Sequence, residues 1–198
     1  MPPPNSRSDV PTEPLRADHR KIRELLHEYD DLPPDAGERR EWLFRQIERL
    51  LILHFALEEE ILYPAVQRTG TARAVESVEE ARWGHRLLRQ DLTELEETDP
   101  QDPEFGSRMD VLRSNLEQYA TLEERSLFAE VRRMSREMRE SLRAQLEQLR
   151  EKLLDREPLG RRRWVRSAMR GSPRPAVTPR PRRRDLGGDS EGEREGNP

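Results

Sequence analysis

The sequence contains no cysteine, which excludes disulfides, iron–sulfur clusters, thiolate zinc sites and cysteine nucleophiles. Any metal ion would therefore have to bind histidine, tyrosine or carboxylate side chains. The chain also lacks an apolar run of the roughly 18 to 20 residues that a membrane span needs, and its N-terminus lacks the basic and then apolar order of a secretion signal. A glycine-rich phosphate loop and a zinc-finger spacing are missing as well. We therefore expect a cytoplasmic protein without a membrane segment.

Apolar residues are scarce, at 32% of the chain, and charged residues reach 38%. The typical values are roughly 45 to 50% and about 25%. Only five of the 16 prolines lie between residues 15 and 157. This distribution predicts a folded helical domain at residues 12–157 and a disordered Arg/Pro-rich tail at residues 158–198.

The predicted tail is basic, with 11 arginines and five acidic residues between positions 158 and 198. Such a segment can hold phosphate backbones through contacts that weaken with salt, so a nucleic acid is a candidate partner. An unstructured linker is the alternative.

Within the predicted domain, apolar residues recur at every third or fourth position, and no stretch alternates as a half-buried strand does. Pro64 is expected to kink or end the second helix, Asp35 and Glu38 to form a capping box, and Asp102 to cap a helix that has Pro103 in first position. The predicted helices cover about residues 14–31, 35–63, 71–97, 103–133 and 135–156. Their short connections predict an all-α fold, an up-down-up-down antiparallel four-helix bundle with an added C-terminal helix outside it.

Each of the first four helices carries polar side chains on its apolar stripe. These residues are His19, His54, Glu58, His85, Tyr119 and Glu123. At 1.5 Å of rise per residue, their distances from the connecting loops agree within about one helical turn, so they lie in one layer. A single histidine on an apolar face is usually a hydrogen-bonded core residue. Two buried glutamates, however, each demand a cation nearby, so the layer favours a metal site.

The donor set indicates which metal the layer would hold. Imidazole and carboxylate together favour iron and manganese, and the interiors of helix bundles are where dinuclear carboxylate sites are built. We therefore expect two non-haem iron ions, with zinc or manganese as the alternatives.

At these residues the sequence resembles the hemerythrin-like, or HHE cation-binding, family. The matching pieces are Asp18-His19, HFALEEEILYP, WGHRLL and YATLEERSLF, and the resemblance covers about residues 15–150. It implies that His19 and His54 bind one iron and that His85 and the residue at position 119 bind the second. It also implies that Glu58 and Glu123 bridge the pair.

Two positions depart from the family pattern. Tyr119 stands where the family usually has histidine, and Arg89 stands where its oxygen-carrying members have a further histidine. Reversible oxygen carriage is therefore not expected. Tyr119 would either ligate iron as phenolate or donate a hydrogen bond to a carboxylate, and Arg89 would pair with an acidic residue such as Glu123.

The remaining polar and aromatic residues receive simpler interpretations. Asp18 is predicted to orient His19 from behind, as metal-bound histidines are commonly held. His27 falls beside the apolar stripe and is predicted at the surface. The aromatic residues predicted only to pack are Trp42, Phe55, Tyr63, Trp83 and Phe128.

The sequence therefore predicts a hemerythrin-like diiron protein that senses, scavenges or turns over a small ligand such as dioxygen, peroxide or nitric oxide. As an enzyme it would be a weak peroxidase or catalase. The alternatives are a non-enzymatic iron-binding regulatory module and a metal-free helical interaction protein. Metal analysis separates the last of these from the others, and peroxide turnover separates the first two. The sequence indicates no oligomeric state.

Overall fold

The computed structural model describes residues 10–33 and 35–155, and within these ranges it contains helices and no strand. The elements are α1 (Glu13–Asp30), α2 (Gly37–Leu57), a π-helical turn (Glu58–Leu62), α3 (Tyr63–Gln67), α4 (Ala72–Glu97), α5 (Pro103–Arg125), α6 (Leu127–Arg133) and α7 (Arg136–Leu154). The predicted tail lies outside the described residues.

The four long helices α1, α2, α4 and α5 form the bundle. The helix α1 packs along α2, α4 packs along α5, and α1 also contacts α5. The helix α7 lies outside the bundle and packs against α2 and the π-helical turn. The all-α fold with an added C-terminal helix is therefore confirmed. Within the described ranges, no helix is long and apolar enough to cross a membrane.

Side-chain caps begin three of the helices. Asp102 accepts a hydrogen bond from the backbone N–H of Glu104 at 2.8 Å, and Thr71 and Ser135 cap α4 and α7 in the same way. The predicted capping box of Asp35 and Glu38 is wrong, because Asp35 lies one position too early. The N-cap of α2 is Ala36, whose side chain cannot accept a hydrogen bond.

Two predicted helices are interrupted. The second helix does not end at Tyr63 but passes through the π-helical turn and continues to Gln67. Pro64 has no N–H to donate to the carbonyl four residues earlier, which favours the wider turn at this point. The predicted helix at 103–133 breaks at Ser126, whose hydroxyl donates to the carbonyl of Leu122 at 2.6 Å.

The core is built from aliphatic and aromatic side chains of all the long helices. Phe55 and Phe128 are fully buried, as expected. Trp42 and Trp83, which were also predicted only to pack, lie at the surface and are 46% and 57% exposed. The guanidinium of Arg39 lies 4.1 Å from the Trp42 ring centroid, which gives this surface ring a cation–π partner.

Candidate metal centre

The structure brings all six predicted site residues together in the middle of the bundle. His19 lies on α1, His54 on α2, His85 on α4, and Tyr119 and Glu123 on α5, while Glu58 begins the π-helical turn. Their exposed fractions lie between 0% and 5%. His27, in contrast, is exposed at the surface of α1, as predicted.

One half of the site contains two imidazoles and a carboxylate. The Nε2 atoms of His19 and His54 lie 3.1 Å apart. The Oε2 atom of Glu123 lies 3.2 Å from Nε2 of His19 and 3.7 Å from Nε2 of His54. These three side chains each offer one donor atom within 4.8 Å of the others, so they can surround a single cation.

The other half contains one imidazole and a phenol. Nε2 of His85 lies 2.7 Å from the hydroxyl of Tyr119 and 2.9 Å from Oε2 of Glu58. The Tyr119 hydroxyl donates a hydrogen bond to the same Glu58 oxygen at 2.6 Å.

Glu58 links the two halves. Its Oε1 atom lies 3.2 Å from Nε2 of His54, and its Oε2 atom lies 2.9 Å from Nε2 of His85. One carboxylate therefore faces both groups of donors, which is the arrangement that a bridging ligand requires.

Each histidine is held from behind by a carboxylate. Nδ1 lies 3.0 Å from Glu124 in His19 and 2.7 Å from Glu59 in His85. Nδ1 of His54 lies 3.4 Å from Asp18. This pattern places a proton on Nδ1 and turns Nε2 of each ring inward, as in metal-binding histidines.

The prediction that Asp18 orients His19 is therefore wrong. Adjacent residues of an α-helix point about 100° apart, so Asp18 faces α2 while its neighbour His19 points into the bundle. The carboxylate behind His19 comes instead from α5, where Glu124 follows the inward-facing Glu123.

An arginine holds each of these three carboxylates in turn. Arg150 of α7 binds Asp18 through both of its terminal nitrogens, at 3.0 and 2.5 Å, and Arg16 pairs with Glu124. Such charge-assisted pairs fix the orientation of a carboxylate as well as its charge. Each histidine is thus held by a carboxylate that is itself held by an arginine, and the three series approach the site from different sides of the bundle.

The third of these series contains Arg89 and identifies its partner. Its guanidinium binds Glu59 at 2.7 and 3.0 Å, not Glu123. The ring of Phe55 lies beneath it, with the centroid 4.9 Å from Cζ. Burial raises the pKa of Glu59, but the hydrogen bonds from His85 and Arg89 outweigh burial and lower the pKa to about 2.

Charges inside the site are poorly balanced. Burial and the negative charge of Glu58 raise the pKa of Glu123. Burial also acts to raise the pKa of Glu58, but the charge of His54 holds it well below its usual value. Burial lowers the pKa of His54, yet Glu58 and Asp18 outweigh it and raise that pKa. A cation at the centre would compete with the His54 proton for Nε2.

Three carboxylate oxygens show whether a metal ion fits the site. Oε1 of Glu58 and both carboxylate oxygens of Glu123 are buried and accept no hydrogen bond. Buried acceptors without a donor are costly and rare in folded proteins. They lie among three imidazole nitrogens that turn inward, so the residues fit a bound cation.

Tyr63 also belongs to this site, although the sequence predicted only a packing role for it. Its hydroxyl lies 3.0 Å from Nε2 of His85 and 3.4 Å from the hydroxyl of Tyr119, and donates to Glu58 at 3.3 Å. The backbone N–H of Tyr63 donates to the carbonyl of Glu58, five residues earlier. This π-helical bond turns Tyr63 toward the same side as Glu58, whereas ordinary α-helical spacing would turn it away.

A glycine makes room for Tyr119. A Cβ atom at Gly84 of α4 would lie 2.4 Å from Cδ2 of the Tyr119 ring, so only glycine allows this close approach. Burial and the negative charges of Glu123 and Glu58 raise the pKa of the Tyr119 phenol well above its usual value. The phenol therefore keeps its proton unless a cation lies beside it.

Comparison with known proteins places these features in context. The family model described as the Hemerythrin HHE cation binding domain matches residues 10–131. No curated protein matches the sequence. A crystal structure of a Hemerythrin HHE cation binding domain-containing protein from Mycobacterium kansasii is similar, with 26% identity and a TM-score of 0.60. The match covers 77% of this chain and 95% of that one.

Proposed function

Because the chain belongs to the Hemerythrin HHE cation binding domain family, we propose that it binds two non-haem iron ions and reacts with a small ligand such as dioxygen, peroxide or nitric oxide. In this proposal His19 and His54 hold one ion, and His85 and Tyr119 hold the other. Glu58 and Glu123 are shared between them.

The observation that carries the proposal is the set of unpaired carboxylate oxygens on Glu58 and Glu123. Buried carboxylate oxygens that accept no hydrogen bond are stabilised by adjacent positive charge. The contact of Glu58 with two separate imidazole groups supports two ions over one. Mixed nitrogen and oxygen donors without thiolate support iron or manganese, and iron is the metal typical of the family.

When bound, two neighbouring iron ions supply electrons to, or accept electrons from, a small ligand. The residues of this chain control what reaches them. The rings of Phe55 and Phe128 are fully buried beside His85 and His19 and exclude water from those sides. The hydroxyl of Tyr63 holds a proton within 3.3 Å of Oε2 of Glu58, where a reacting ligand would need one.

The direct test is the metal content of the purified protein and of Glu58→Ala. We expect about two iron ions per chain in the wild-type protein by elemental analysis, and at most one in Glu58→Ala, because the shared carboxylate is lost. Glu60→Ala is the matched control, since Glu60 is exposed on the same π-helical turn. Wild-type protein that takes up no iron when supplied with ferrous ions would contradict the proposal.

A second measurement separates a reactive centre from a regulatory iron module. Turnover of hydrogen peroxide by the iron-loaded protein at a rate above that of free iron supports reaction with the ligand. A loaded protein that leaves peroxide and nitric oxide unchanged would indicate the regulatory role.

A further inference from the structure

A cleft of about 130 Å³ opens on the surface between α4 and α5. At its outer rim lie Trp83 and Leu122, which are 57% and 54% exposed. Its inner end is formed by Tyr119 and Glu123, which are 5% and 2% exposed. The cleft therefore runs from solvent to two side chains of the candidate metal centre.

The opposite sides of the centre are closed. Nε2 of each histidine faces inward, and the exposed fractions of His19, His54, Glu58 and His85 do not exceed 1%. Tyr119 is the most exposed of the six site residues, and it lines the cleft together with Glu123. A ligand that follows the cleft would meet Tyr119 and Glu123 first.

The lining of the cleft selects by charge. Ala81, Leu87 and Leu122 contribute apolar surface, while Glu80 and Glu123 contribute carboxylates. An anion would lose its hydration next to groups of the same charge, which is unfavourable. Neither the loss of hydration of a charge nor repulsion between like charges opposes the entry of an uncharged molecule.

The size of the cleft sets a second limit. An apolar cavity of about 150 Å³ is large enough for benzene or xenon. A space of about 130 Å³ therefore accepts dioxygen, nitric oxide or undissociated hydrogen peroxide with room to spare, but not a bulky organic hydroperoxide.

The ring of Tyr119 forms the part of the inner wall that faces α4. Because Gly84 has no side chain, the Tyr119 ring packs directly against α4 and fills the space between the cleft and Nε2 of His85. A rotation of this ring would connect the cleft with the second half of the centre.

We propose that the cleft between α4 and α5 is the entry route and holding pocket for a small uncharged ligand, with the Tyr119 ring as its inner gate. This inference rests on the proposed function, because it supplies the ligand of that same centre. It narrows the ligand class to small uncharged molecules.

The first test closes the mouth of the cleft. Leu122→Trp places a large ring at an exposed rim position, so it leaves the fold and the iron content unchanged. Val111→Trp is the matched control, because Val111 is 52% exposed on the same helix and does not line the cleft. We expect association of nitric oxide with the reduced, iron-loaded protein to slow at least tenfold in Leu122→Trp and not in Val111→Trp. Equal rates in both variants would overturn the proposal.

A second variant fills the cleft from inside. Ala81→Leu replaces a methyl group of the lining by an isobutyl group, and Ala72→Leu makes the same change at an exposed position of α4 that lies outside the cleft. Crystals under xenon pressure give a readout that needs no iron. We expect a xenon atom between α4 and α5 in the wild-type protein and in Ala72→Leu, and none in Ala81→Leu. Absence of xenon from the wild-type cleft would contradict a holding pocket.

The nitric oxide and xenon experiments together separate this inference from the proposed function. Failure to load iron would contradict the function, and xenon occupancy would still decide the cleft. Full iron loading with unchanged nitric oxide rates in Leu122→Trp and Ala81→Leu would reject the cleft and leave the function standing.

Discussion

Tyr119 is the residue whose role most affects the chemistry of the centre. Its hydroxyl lies equally close to His85 and Glu58, so a phenolate ligand and a phenol donor both fit the distances. Phenolate is a hard anionic ligand that favours ferric over ferrous iron. A ligand role would therefore suit reaction with peroxide better than reversible binding of dioxygen.

We expect Tyr119→Phe to lose the visible absorption band that a phenolate gives with ferric iron, together with part of the iron. The substitution removes only the hydroxyl and keeps the ring against Gly84. Absorption spectra and iron analysis of the ferric protein measure both effects. Tyr29→Phe makes the same change at a buried tyrosine that packs on Phe105, away from the site, and serves as the control. An unchanged spectrum with full loading would refute ligation.

The residue scale also shows how far the sequence predicts the site. His19, His54 and His85 interrupt apolar stripes with helical period, so their inward direction is visible in the sequence. Tyr63 is not visible in this way, because its inward direction depends on the π-helical turn. Pro64 was the only signal, and it indicated a kink without showing which residue the kink would turn inward.

At the scale of elements, the outer helix α7 takes part in the centre through Arg150. This side chain fixes Asp18, which in turn holds Nδ1 of His54. Periodicity predicted that α7 packs outside the bundle, but the partner of a long arginine side chain depends on the docking of the helix. Sequence spacing does not contain that information, and for the same reason it does not identify Glu59 as the acidic partner of Arg89.

We expect Arg150→Met to weaken iron binding about tenfold or more, since loss of a group behind a metal-bound histidine typically costs 10- to 100-fold in affinity. Methionine keeps the length of the side chain and removes the charge. Competition with a chelator of known affinity gives the measurement. Arg143→Met is the control, because Arg143 pairs with Glu147 along the exposed face of the same helix. Equal chelator competition in the two variants would show that Asp18 needs no support from α7.

At the scale of the whole molecule, the proposed function links metal binding to stability. A ligand that binds only the folded state at 100 times its dissociation constant adds about 2.7 kcal/mol. For a protein of this size, each kcal/mol shifts the melting temperature by roughly 2 to 4 °C. We expect chelation to lower the melting temperature by about 5 to 10 °C, because Glu58 and Glu123 then face each other without a cation. Calorimetry with and without chelator tests this, and an unchanged melting temperature after complete removal of iron would refute it.

The proposed domain boundary makes a separate prediction. Every residue that forms the centre or holds one of its histidines lies between Arg16 and Arg150, so truncation after Glu157 should leave the iron content and melting temperature unchanged. If the full chain binds DNA through its 11 C-terminal arginines, the affinity should fall steeply with salt and be lost on truncation. Loss of iron on truncation would place the boundary further along the chain.

The pair of Arg150 and Asp18 spans 132 residues of sequence. Synthesis proceeds from the N-terminus at about 5 to 20 residues per second, so Asp18 leaves the ribosome many seconds before its partner. Until Arg150 is made, Asp18 faces His54 without the ion pair that fixes the Asp18 carboxylate. If the centre binds iron as proposed, the iron is held less tightly before α7 has docked than afterwards.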